Sequence, residues 1–241
     1  MTRLNPTKFT NPDYFNEIEK NIKNVTFDNL TRVLYSSDAS IYQIMPIGVI
    51  FPHNIDEVIA AVEINKKYSV PILPRGSGTS LAGQSVGEAL IIDFKYYLNK
   101  IIEINPTEKY IITQPGAILG SINSELKQYG LMYGPDPASA KSATIGGVIG
   151  NNSTGAHFIE YGMTSDNILG LNLILENGRM AEFSGNKGSW EELKKIAGSE
   201  GEIYQKVQRV LKKYSVDIIE NFPDTKRNVS GYAINLIDPN R

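Results

Sequence analysis

The residues best suited to chemistry form a loop that is rich in glycine and hydroxyl side chains. It covers residues 74–85, PRGSGTSLAGQS, and follows a short β-branched run at residues 70–73. Its three glycines allow several backbone N–H groups to turn toward one point, and Arg75 is its only charged residue. Such a loop predicts a receptor for a phosphate or a pyrophosphate group.

The spacing of the glycines argues against two common nucleotide-binding motifs. The Rossmann fingerprint requires G-x-G-x-x-G at the start of a helix, whereas Gly83 comes too late after Gly76 and Gly78. The Walker A motif requires a lysine after its second glycine, and Gln84 occupies that position. Without that cation the β- and γ-phosphates lose their main charge partner. A tight surface loop without a ligand is the remaining alternative from this loop alone.

A second glycine-rich block covers residues 134–155, GPDPASAKSATIGGVIGNNSTG, and carries hardly any charge. Gly146 and Gly147 permit a close approach of the backbone to a flat or extended ligand. The amides and hydroxyls of residues 151–154 offer donors and acceptors. This composition suits a large neutral ring system together with its phosphates.

Several motifs in and around these two blocks resemble a known family. They are PRGSGTSLAGQ, PDPAS, TIGG, NNSTG and the pair Tyr161-Gly162, which follow one another in order between about residues 35 and 232. Together they resemble the FAD-binding domain of the vanillyl-alcohol oxidase/PCMH flavoprotein family, and most closely its branch of D-lactate dehydrogenases and glycolate oxidase FAD subunits. The resemblance implies an α+β fold, a PCMH-type FAD-binding domain of two α/β subdomains with FAD between them.

The resemblance also implies which residues contact FAD. Backbone amides of residues 75–80 would hold the pyrophosphate, whose roughly two negative charges can be held by oriented N–H dipoles without a lysine. The Arg75 side chain pairs with phosphate or forms a salt bridge nearby, and Asp136 accepts a hydrogen bond from the cofactor or caps a turn. The predicted FAD contacts are Pro74, Arg75, Gly76, Ser77, Gly78, Thr79, Ser80, Gln84, Pro135, Asp136, Ser139, Thr144, Gly146, Gly147, Asn151, Ser153, Gly155, Tyr161, Gly162 and Ile168.

The chain has no cysteine and only two histidines, His53 and His157. The absence of cysteine excludes disulfides, thiolate metal sites, iron–sulfur ligation and a cysteine nucleophile within this chain, and we predict no metal site. Family members that attach FAD covalently use histidine or cysteine. Because the first loop contains neither, we predict that FAD is bound non-covalently. His157 faces the flavin or is a half-exposed loop residue, and we expect His53 to be structural.

Charge and hydropathy exclude two broad classes of function. The 241 residues carry a net charge of −2 with acids and bases interspersed, so no basic stripe predicts binding to nucleic acid. No apolar run approaches the roughly 20 residues that span a bilayer, and residues 1–6 lack an apolar signal core. We therefore expect a cytoplasmic location, with any membrane association arising through a partner.

The hydrophobic periodicity predicts helices and strands that would position these loops. Asn54 and Glu57 form a predicted capping box, Gly130 ends a helix, and Asn177-Gly178 is a hairpin turn. The predicted strands are residues 49–51, 70–73, 90–94, 101–104, 110–113, 171–175 and 179–183, and the predicted helices are residues 12–34, 55–68, 117–129, 190–196 and 202–214. We divide the chain into an N-terminal helical segment (1–34), the PCMH-type domain (35–232, with a subdomain boundary near 105–115) and a tail (233–241).

The family resemblance implies an FAD-dependent dehydrogenase or oxidase. The expected reaction is oxidation of a 2-hydroxy acid of the D-lactate or glycolate type by hydride transfer to flavin N5, with the electrons passed to a partner or a non-oxygen acceptor. In the family a C-terminal cap domain supplies most of the substrate pocket, and we expect it to be absent here. The chain would then need a cap-domain or iron–sulfur partner subunit, and the catalytic base would lie outside it. A non-catalytic flavin-binding or assembly component and an enolpyruvyl reductase-like flavoprotein remain as alternatives.

Overall fold

The chain forms two compact units. A computed structural model describes residues 9–185, 188–225, 227 and 231–237. The first unit consists of Met1–Asp166 and Glu176–Gly178, and the second consists of Asn167–Leu175 and Arg179–Arg241. The predicted domain boundaries at residues 34 and 232 and near residues 105–115 stay predictions.

The first unit begins with a four-stranded sheet whose strands are short and mostly buried. The strands are β1 (Val25–Thr26), β2 (Gly48–Ile50), β3 (Ile72–Arg75) and β4 (Leu90–Asp93). Their order is β1-β2-β4-β3, with β4 parallel to both of its neighbours and β1 antiparallel to β2. This register places Arg75, the last residue of β3, opposite Asp93, the last residue of β4. The first glycine loop therefore starts at the carboxyl edge of a parallel pair.

Three helices accompany this sheet: α1 (Pro12–Asn21), α2 (Asn29–Leu34) and α3 (Ile55–Tyr68). The predicted cap of α3 is confirmed, because the Asn54 side chain accepts the Glu57 N–H at 2.9 Å. Glu57 in turn accepts the His53 N–H at 2.8 Å. The helix predicted over residues 12–34 is interrupted, since β1 lies between α1 and α2 and pairs with β2.

A second hydrophobic cluster follows in the same unit. Strands β5 (Ile101–Asn105) and β6 (Tyr110–Thr113) form the predicted antiparallel hairpin. Helix α4 (Leu119–Leu126) continues into a 3-10 turn that ends at Gly130, which has a φ of 68°. Two short helices come next, α5 (Ile145–Gly150) and α6 (Phe158–Tyr161). Buried apolar side chains of α4 and α5 form the centre of this cluster.

The second unit contains a hairpin and three helices. The predicted Asn-Gly hairpin is confirmed by β7 (Gly170–Ile174) and β8 (Met180–Ser184), which pair antiparallel. Helices α7 (Trp190–Leu193), α8 (Ser199–Lys213) and α9 (Ser215–Asn221) follow, and Ser189 and Glu192 form a capping box at α7. The predicted α+β class is confirmed by this mixture of parallel, antiparallel and helical elements. Within the described residues, no helix is long and apolar enough to cross a membrane.

Candidate cofactor-binding site

The two glycine-rich blocks meet in the first unit, although they are far apart in sequence. A β-carbon placed on Gly76 would lie only 2.0 Å from Oγ1 of Thr144, so the backbones of the two blocks are in close contact here. Thr144 is 2% exposed. Further along the loops, the Asn151 amide lies 3.5 Å from the Ser80 hydroxyl. Residues predicted as one site from separate motifs therefore lie side by side.

The first loop presents a run of backbone donors. Strand β3 stops at Arg75, whose carbonyl accepts the Phe94 N–H, and the strand ladder ends there. Among the contacts of the described residues, the N–H groups of residues 76–81 donate no hydrogen bond. The next N–H along the chain, that of Ala82, donates to the Gln84 side chain at 3.2 Å. Partly buried N–H groups require acceptors, and a run of them on a turn suits an anion.

Gly78 gives this loop its shape. Its φ is 67°, in the left-handed region that side chains rarely adopt. A β-carbon on Gly78 would lie 2.6 Å from Nη2 of Arg75, so the loop passes directly over the guanidinium group. The Gly78 carbonyl also accepts the N–H of Ala39 at 3.0 Å. A larger residue at position 78 would therefore disturb both the backbone conformation and the packing.

The Arg75 side chain is buried beneath the loop, where it donates to three backbone carbonyls. Nη1 donates to Tyr35 O at 3.1 Å and to Ser85 O at 2.8 Å, and Nη2 donates to Ser37 O at 2.8 Å. The guanidinium also lies 5.1 Å from the centre of the Tyr35 ring. Among the described residues, the direct partners of the guanidinium are therefore backbone carbonyls, while Asp38 and Asp93 act on its charge from farther away.

Two acidic residues that the sequence analysis missed support this arrangement. The Tyr35 hydroxyl donates to Asp93 at 2.6 Å, and the Ser85 hydroxyl donates to Asp38 at 2.9 Å. Burial, together with the hydrogen bond to Asp93, raises the pKa of Tyr35 and keeps its hydroxyl protonated. Burial lowers the pKa of Arg75. The residues around Tyr35 have no motif of their own, so only the fold could reveal their role.

The second block is organised by helix α5. Thr144 caps α5 by accepting the Gly147 N–H at 3.3 Å. Gly146 lies against the backbone of Pro115, and its N–H donates to the Pro115 carbonyl at 2.8 Å. The Ser139 carbonyl accepts the N–H groups of residues 142 and 143. Thr144, Gly146 and Gly147 thus have structural roles in addition to their predicted place at the cofactor.

Asp136 and the loop after α5 form the far part of the site. Pro135 is buried, and Asp136 has a φ of 48°. A β-carbon on Gly155 would lie 1.8 Å from the Asp136 carbonyl, which accepts the Ala156 N–H at 3.2 Å. The Asp136 carboxylate lies 3.9 Å from Nδ1 of His157, and both side chains are partly exposed. This position is compatible with both roles predicted for the Asp136 carboxylate, which were to accept a hydrogen bond from the cofactor or to cap a turn.

The hydroxyl of Thr154 is buried and has no hydrogen-bond partner among the described residues. Its neighbour Ser153 is fixed, because the Ser153 carbonyl accepts both the hydroxyl and the N–H of Thr164, at 2.6 and 3.1 Å. In the sequence, Thr154 is only one of several polar residues in the run 151–154. A buried donor without a partner marks a place where a ligand atom fits.

Four of the predicted contacts, Gln84, Tyr161, Gly162 and Ile168, stay predictions, and the structure gives their surroundings. Tyr161 and Gly162 end helix α6, and Gln84 folds back onto its own loop. Ile168 belongs to the second unit. His53 stacks on Tyr97 with ring centres 3.8 Å apart, in keeping with a structural role.

A separate cavity of about 600 Å³ lies between β5 and α4. It is lined by none of the predicted FAD contacts, and its walls combine isoleucines with Glu103 and Glu125. Within the part of the chain that the structure describes, no three His, Cys, Asp or Glu residues are grouped as metal ligands. The glycine-rich blocks therefore remain the site with the most ligand-binding features.

Comparison with known proteins agrees with this site. Residues 46–184, which include both glycine-rich blocks, match the model of a family described as FAD binding domain. D-2-hydroxyglutarate dehydrogenase of Escherichia coli (strain K12) is 34% identical over 207 residues, which are 84% of this chain and 20% of that protein. Glycolate oxidase subunit GlcD of Bacillus subtilis (strain 168) is 36% identical over 221 residues, 89% of this chain and 46% of that protein. The chain thus spans less than half the length of either relative.

Solved structures show the same fold. A structure of alkyldihydroxyacetonephosphate synthase superposes on 76% of this chain with a TM-score of 0.66 and 24% identity, and the match covers 40% of that protein. The 6-hydroxy-D-nicotine oxidase of Arthrobacter nicotinovorans superposes on 69% of this chain with a TM-score of 0.61 and 20% identity, covering 37% of that protein. At these identities the likeness establishes the fold alone.

Proposed function

The chain belongs to the family of FAD-binding domains, and from this premise we propose that it is the flavin-binding part of an enzyme that oxidises a 2-hydroxy acid. The family membership supports FAD as the cofactor, and the oxidoreductase activity belongs to the proposal. Substrate, electron acceptor and partner belong to the proposal. The observation that carries it is the run of unpaired N–H groups at residues 76–81, held against the second block at Thr144.

The residues present fit an FAD molecule. The N–H groups of residues 76–81 would hold the pyrophosphate, because an anion satisfies several donors at once and is favoured by the dipoles. The second block would line the rest of the cofactor with neutral amide and hydroxyl groups. The unpaired hydroxyl of Thr154 fits there, since it provides a buried donor for a cofactor oxygen.

When bound, the isoalloxazine ring supplies the two-electron redox chemistry, while the protein supplies position and electrostatics. This chain's residues bind the cofactor at the two glycine-rich blocks and fix its orientation through rigid supports. The Arg75 side chain supports the first block by donating to the Ser85 carbonyl, and the Thr164 hydroxyl supports the second block by donating to the Ser153 carbonyl. We do not assign a catalytic base to a residue of this chain.

The substrate class is supported by the relatives. D-2-hydroxyglutarate dehydrogenase and the glycolate oxidase subunit are both named for 2-hydroxy acids. We propose D-lactate, glycolate or a related 2-hydroxy acid as the substrate, and a partner or another non-oxygen acceptor for the electrons. The second relative is named as a subunit, which supports the proposal that this protein works with a partner, such as a cap-domain or iron–sulfur subunit. The chain alone should then bind FAD but turn over slowly.

Spectroscopy can test the cofactor and the substrate class separately. The purified chain is titrated with FAD, and its visible spectrum is recorded before and after anaerobic addition of D-lactate, glycolate or D-2-hydroxyglutarate. Non-covalent FAD should be released by denaturation, and slow bleaching by one D-2-hydroxy acid but not by its L-enantiomer is expected. A protein that takes up no FAD would contradict the cofactor assignment.

The same samples distinguish the alternatives. Uptake of FAD without bleaching by any 2-hydroxy acid, even with a candidate partner present, would favour a flavin-binding or assembly component. Bleaching by NADPH would favour an enolpyruvyl reductase-like flavoprotein. Either outcome would overturn the substrate class while leaving FAD binding in place.

A further inference from the structure

We propose that Arg75 is a positioning residue for the cofactor loop: its buried guanidinium holds the loop in the shape that presents the N–H run, and its charge attracts the pyrophosphate from beneath the backbone. This inference rests on FAD binding, the first part of the proposed function. It differs from the sequence-based alternatives, in which Arg75 pairs directly with phosphate or with a carboxylate.

Arg75 is the last residue of β3, and its guanidinium donates to carbonyls on both sides of the loop. Tyr35 and Ser37 belong to a segment that is distant from the loop in sequence, whereas Ser85 is the last residue of the loop itself. One side chain therefore ties the start of the loop, its end and its support together. The separate bond from the Ala39 N–H to the Gly78 carbonyl fixes the middle.

Three of the five N–H groups of the Arg75 guanidinium already donate within the protein. Both N–H groups of Nη1 are used by Tyr35 and Ser85, and Nη2 uses one more on Ser37. Nη2 is the atom that a β-carbon on Gly78 would meet at 2.6 Å, so backbone covers the guanidinium on this side. These contacts favour an action through the loop over a bidentate contact with phosphate.

The charge of Arg75 is buried together with its side chain, which is 9% exposed. Asp38 and Asp93 act on this charge, but within the described part of the chain neither forms a salt bridge with it, and each accepts a hydrogen bond from another side chain. The unpaired N–H dipoles of residues 76–81 present positive ends on the same loop. Guanidinium and N–H groups therefore favour the same anion, and the pyrophosphate of a dinucleotide supplies it.

Two substitutions separate shape from charge. Arg75→Lys keeps the charge but cannot donate to three carbonyls in a fixed fork, and Arg75→Met removes both. Calorimetry measures the affinity of each purified variant for FAD and for ADP, which carries a pyrophosphate but no flavin. The measurements are repeated at salt concentrations between 50 and 300 mM. We expect affinity to fall about 10-fold in Arg75→Lys and about 100-fold in Arg75→Met, where each factor of ten corresponds to about 1.4 kcal/mol.

The dependence of ADP affinity on salt shows whether Arg75 also attracts the ligand by its charge or only shapes the loop. ADP affinity should fall with salt in the natural protein and in Arg75→Lys, and depend less on salt in Arg75→Met. Lys100→Met, which removes an exposed cation outside the predicted contacts, is the matched control and should bind both ligands normally. If Arg75→Met does not fold, the comparison of Arg75→Lys with the natural protein still decides the positioning role, and Arg75→Gln, which removes the charge but keeps amide donors, replaces Arg75→Met in the salt comparison.

Unchanged FAD and ADP affinity in Arg75→Lys, with native circular dichroism, would overturn the positioning role. Equal salt dependence in the natural protein and in Arg75→Met would overturn the contribution of charge. Failure of the natural protein to bind FAD would instead contradict the cofactor assignment. Normal flavin binding without oxidation of 2-hydroxy acids would leave this inference intact and remove only the proposed substrate.

Discussion

At the scale of single residues, the candidate site depends on backbone groups that small residues leave accessible. Gly76 is the clearest case, because its α-carbon lies so close to Thr144 that no side chain fits between them. The same contact joins the first glycine loop to the helix cap of the second block. Steric fit at this one point therefore influences both the stability of the unit and the position of the N–H run.

Gly76→Ala should weaken FAD binding by at least about 10-fold and lower the free energy of unfolding by about 1–3 kcal/mol, the usual range for overpacking a buried contact. The physical reason is the 2.0 Å approach of the new β-carbon to Oγ1 of Thr144. Denaturant unfolding and FAD titration measure the two effects. Gly150→Ala is the control, since no atom lies within 4 Å of its β-carbon and the helix gains up to about 1 kcal/mol. Equal FAD affinity and equal stability of the two variants would contradict the importance of the contact between Gly76 and Thr144.

Hydrogen exchange should report directly on the N–H run. Without FAD, the amides of residues 76–81 should exchange fast, because the structure gives them no acceptor. With saturating FAD, peptides that cover residues 74–85 should exchange more slowly, whereas the hairpin at Asn177-Gly178 serves as an internal reference. Protection that appears elsewhere but not in this loop would show that the pyrophosphate binds at another place.

At the scale of secondary-structure elements, local signals predicted most of the fold. The capped helix at Asn54 and the Asn-Gly hairpin were predictable because their stabilising contacts lie within a few residues. Helix α5 was not predicted, because three of its six residues are glycine, which disfavours helix. It forms because Ile145 and Val148 are buried in the second cluster. The pairing of β3 with β4 and the carbonyl acceptors of Arg75 are long-range contacts without a local motif.

The packing of α1 on α3 should depend on one buried hydrogen bond. The Tyr14 hydroxyl donates to Asn65 at 3.1 Å, and Asn65 donates to the Ala61 carbonyl at 2.7 Å. Burial raises the pKa of Tyr14, so the hydroxyl stays protonated. Tyr14→Phe should lower the free energy of unfolding by about 1–2 kcal/mol, because the Asn65 oxygen loses its donor. Tyr129→Phe, at an exposed position, should change it little. Thermal and denaturant unfolding measure both variants, and an equal loss of stability in Tyr14→Phe and Tyr129→Phe would contradict this role.

The cap of α2 should make stability depend on acid pH. Asp28 accepts hydrogen bonds from the Thr26 hydroxyl and the Thr31 N–H, and these lower its pKa to about 2. A pKa lowered below the value of about 3.9 in the unfolded chain stabilises the fold above that value, and the contribution is lost as the pH falls toward 2.

Asp28→Asn tests this pH dependence, since asparagine keeps the cap but removes the charge. The difference in free energy of unfolding between the natural protein and this variant should be largest near pH 7 and shrink between about pH 5 and 2. Asn11→Ala, which removes the neutral cap of α1, should give a difference that does not depend on pH. A constant difference for Asp28→Asn would refute the role of its charge.

At the scale of the whole molecule, the chain consists of two compact units and spans less than half the length of its curated relatives. All but one of the predicted FAD contacts lie in the first unit, and the exception is Ile168. The cofactor motifs were predictable because glycine spacing is visible in the sequence. The supports at Tyr35 and Ser37 were not, because a backbone carbonyl can belong to any residue, and the Asp38 carboxylate, which accepts from Ser85, belongs to no motif.

FAD should stabilise the folded chain by mass action. When the free FAD concentration is about 100 times the dissociation constant, the free energy of unfolding rises by about 2.7 kcal/mol. Thermal unfolding should detect this increase as a higher midpoint temperature. FMN and riboflavin, which lack the pyrophosphate-linked adenosine, should raise the midpoint less at the same concentration. Gly76→Ala should show a smaller shift with FAD. Equal shifts for FAD and riboflavin would contradict recognition through the N–H run.

The proposed recognition by main-chain N–H groups also affects how this loop can diverge over evolution. Leu81 is 79% exposed, and its side chain has no hydrogen-bonding group. Position 81 is therefore free to change under drift or under selection from a neighbouring protein surface, provided that the backbone path is kept. Gly76 and Gly78 lack that freedom, and Ser80 is restricted by its contact with Asn151. A saturation library selected for flavin retention should thus show broad substitution at residue 81 beside near-invariance at the two glycines.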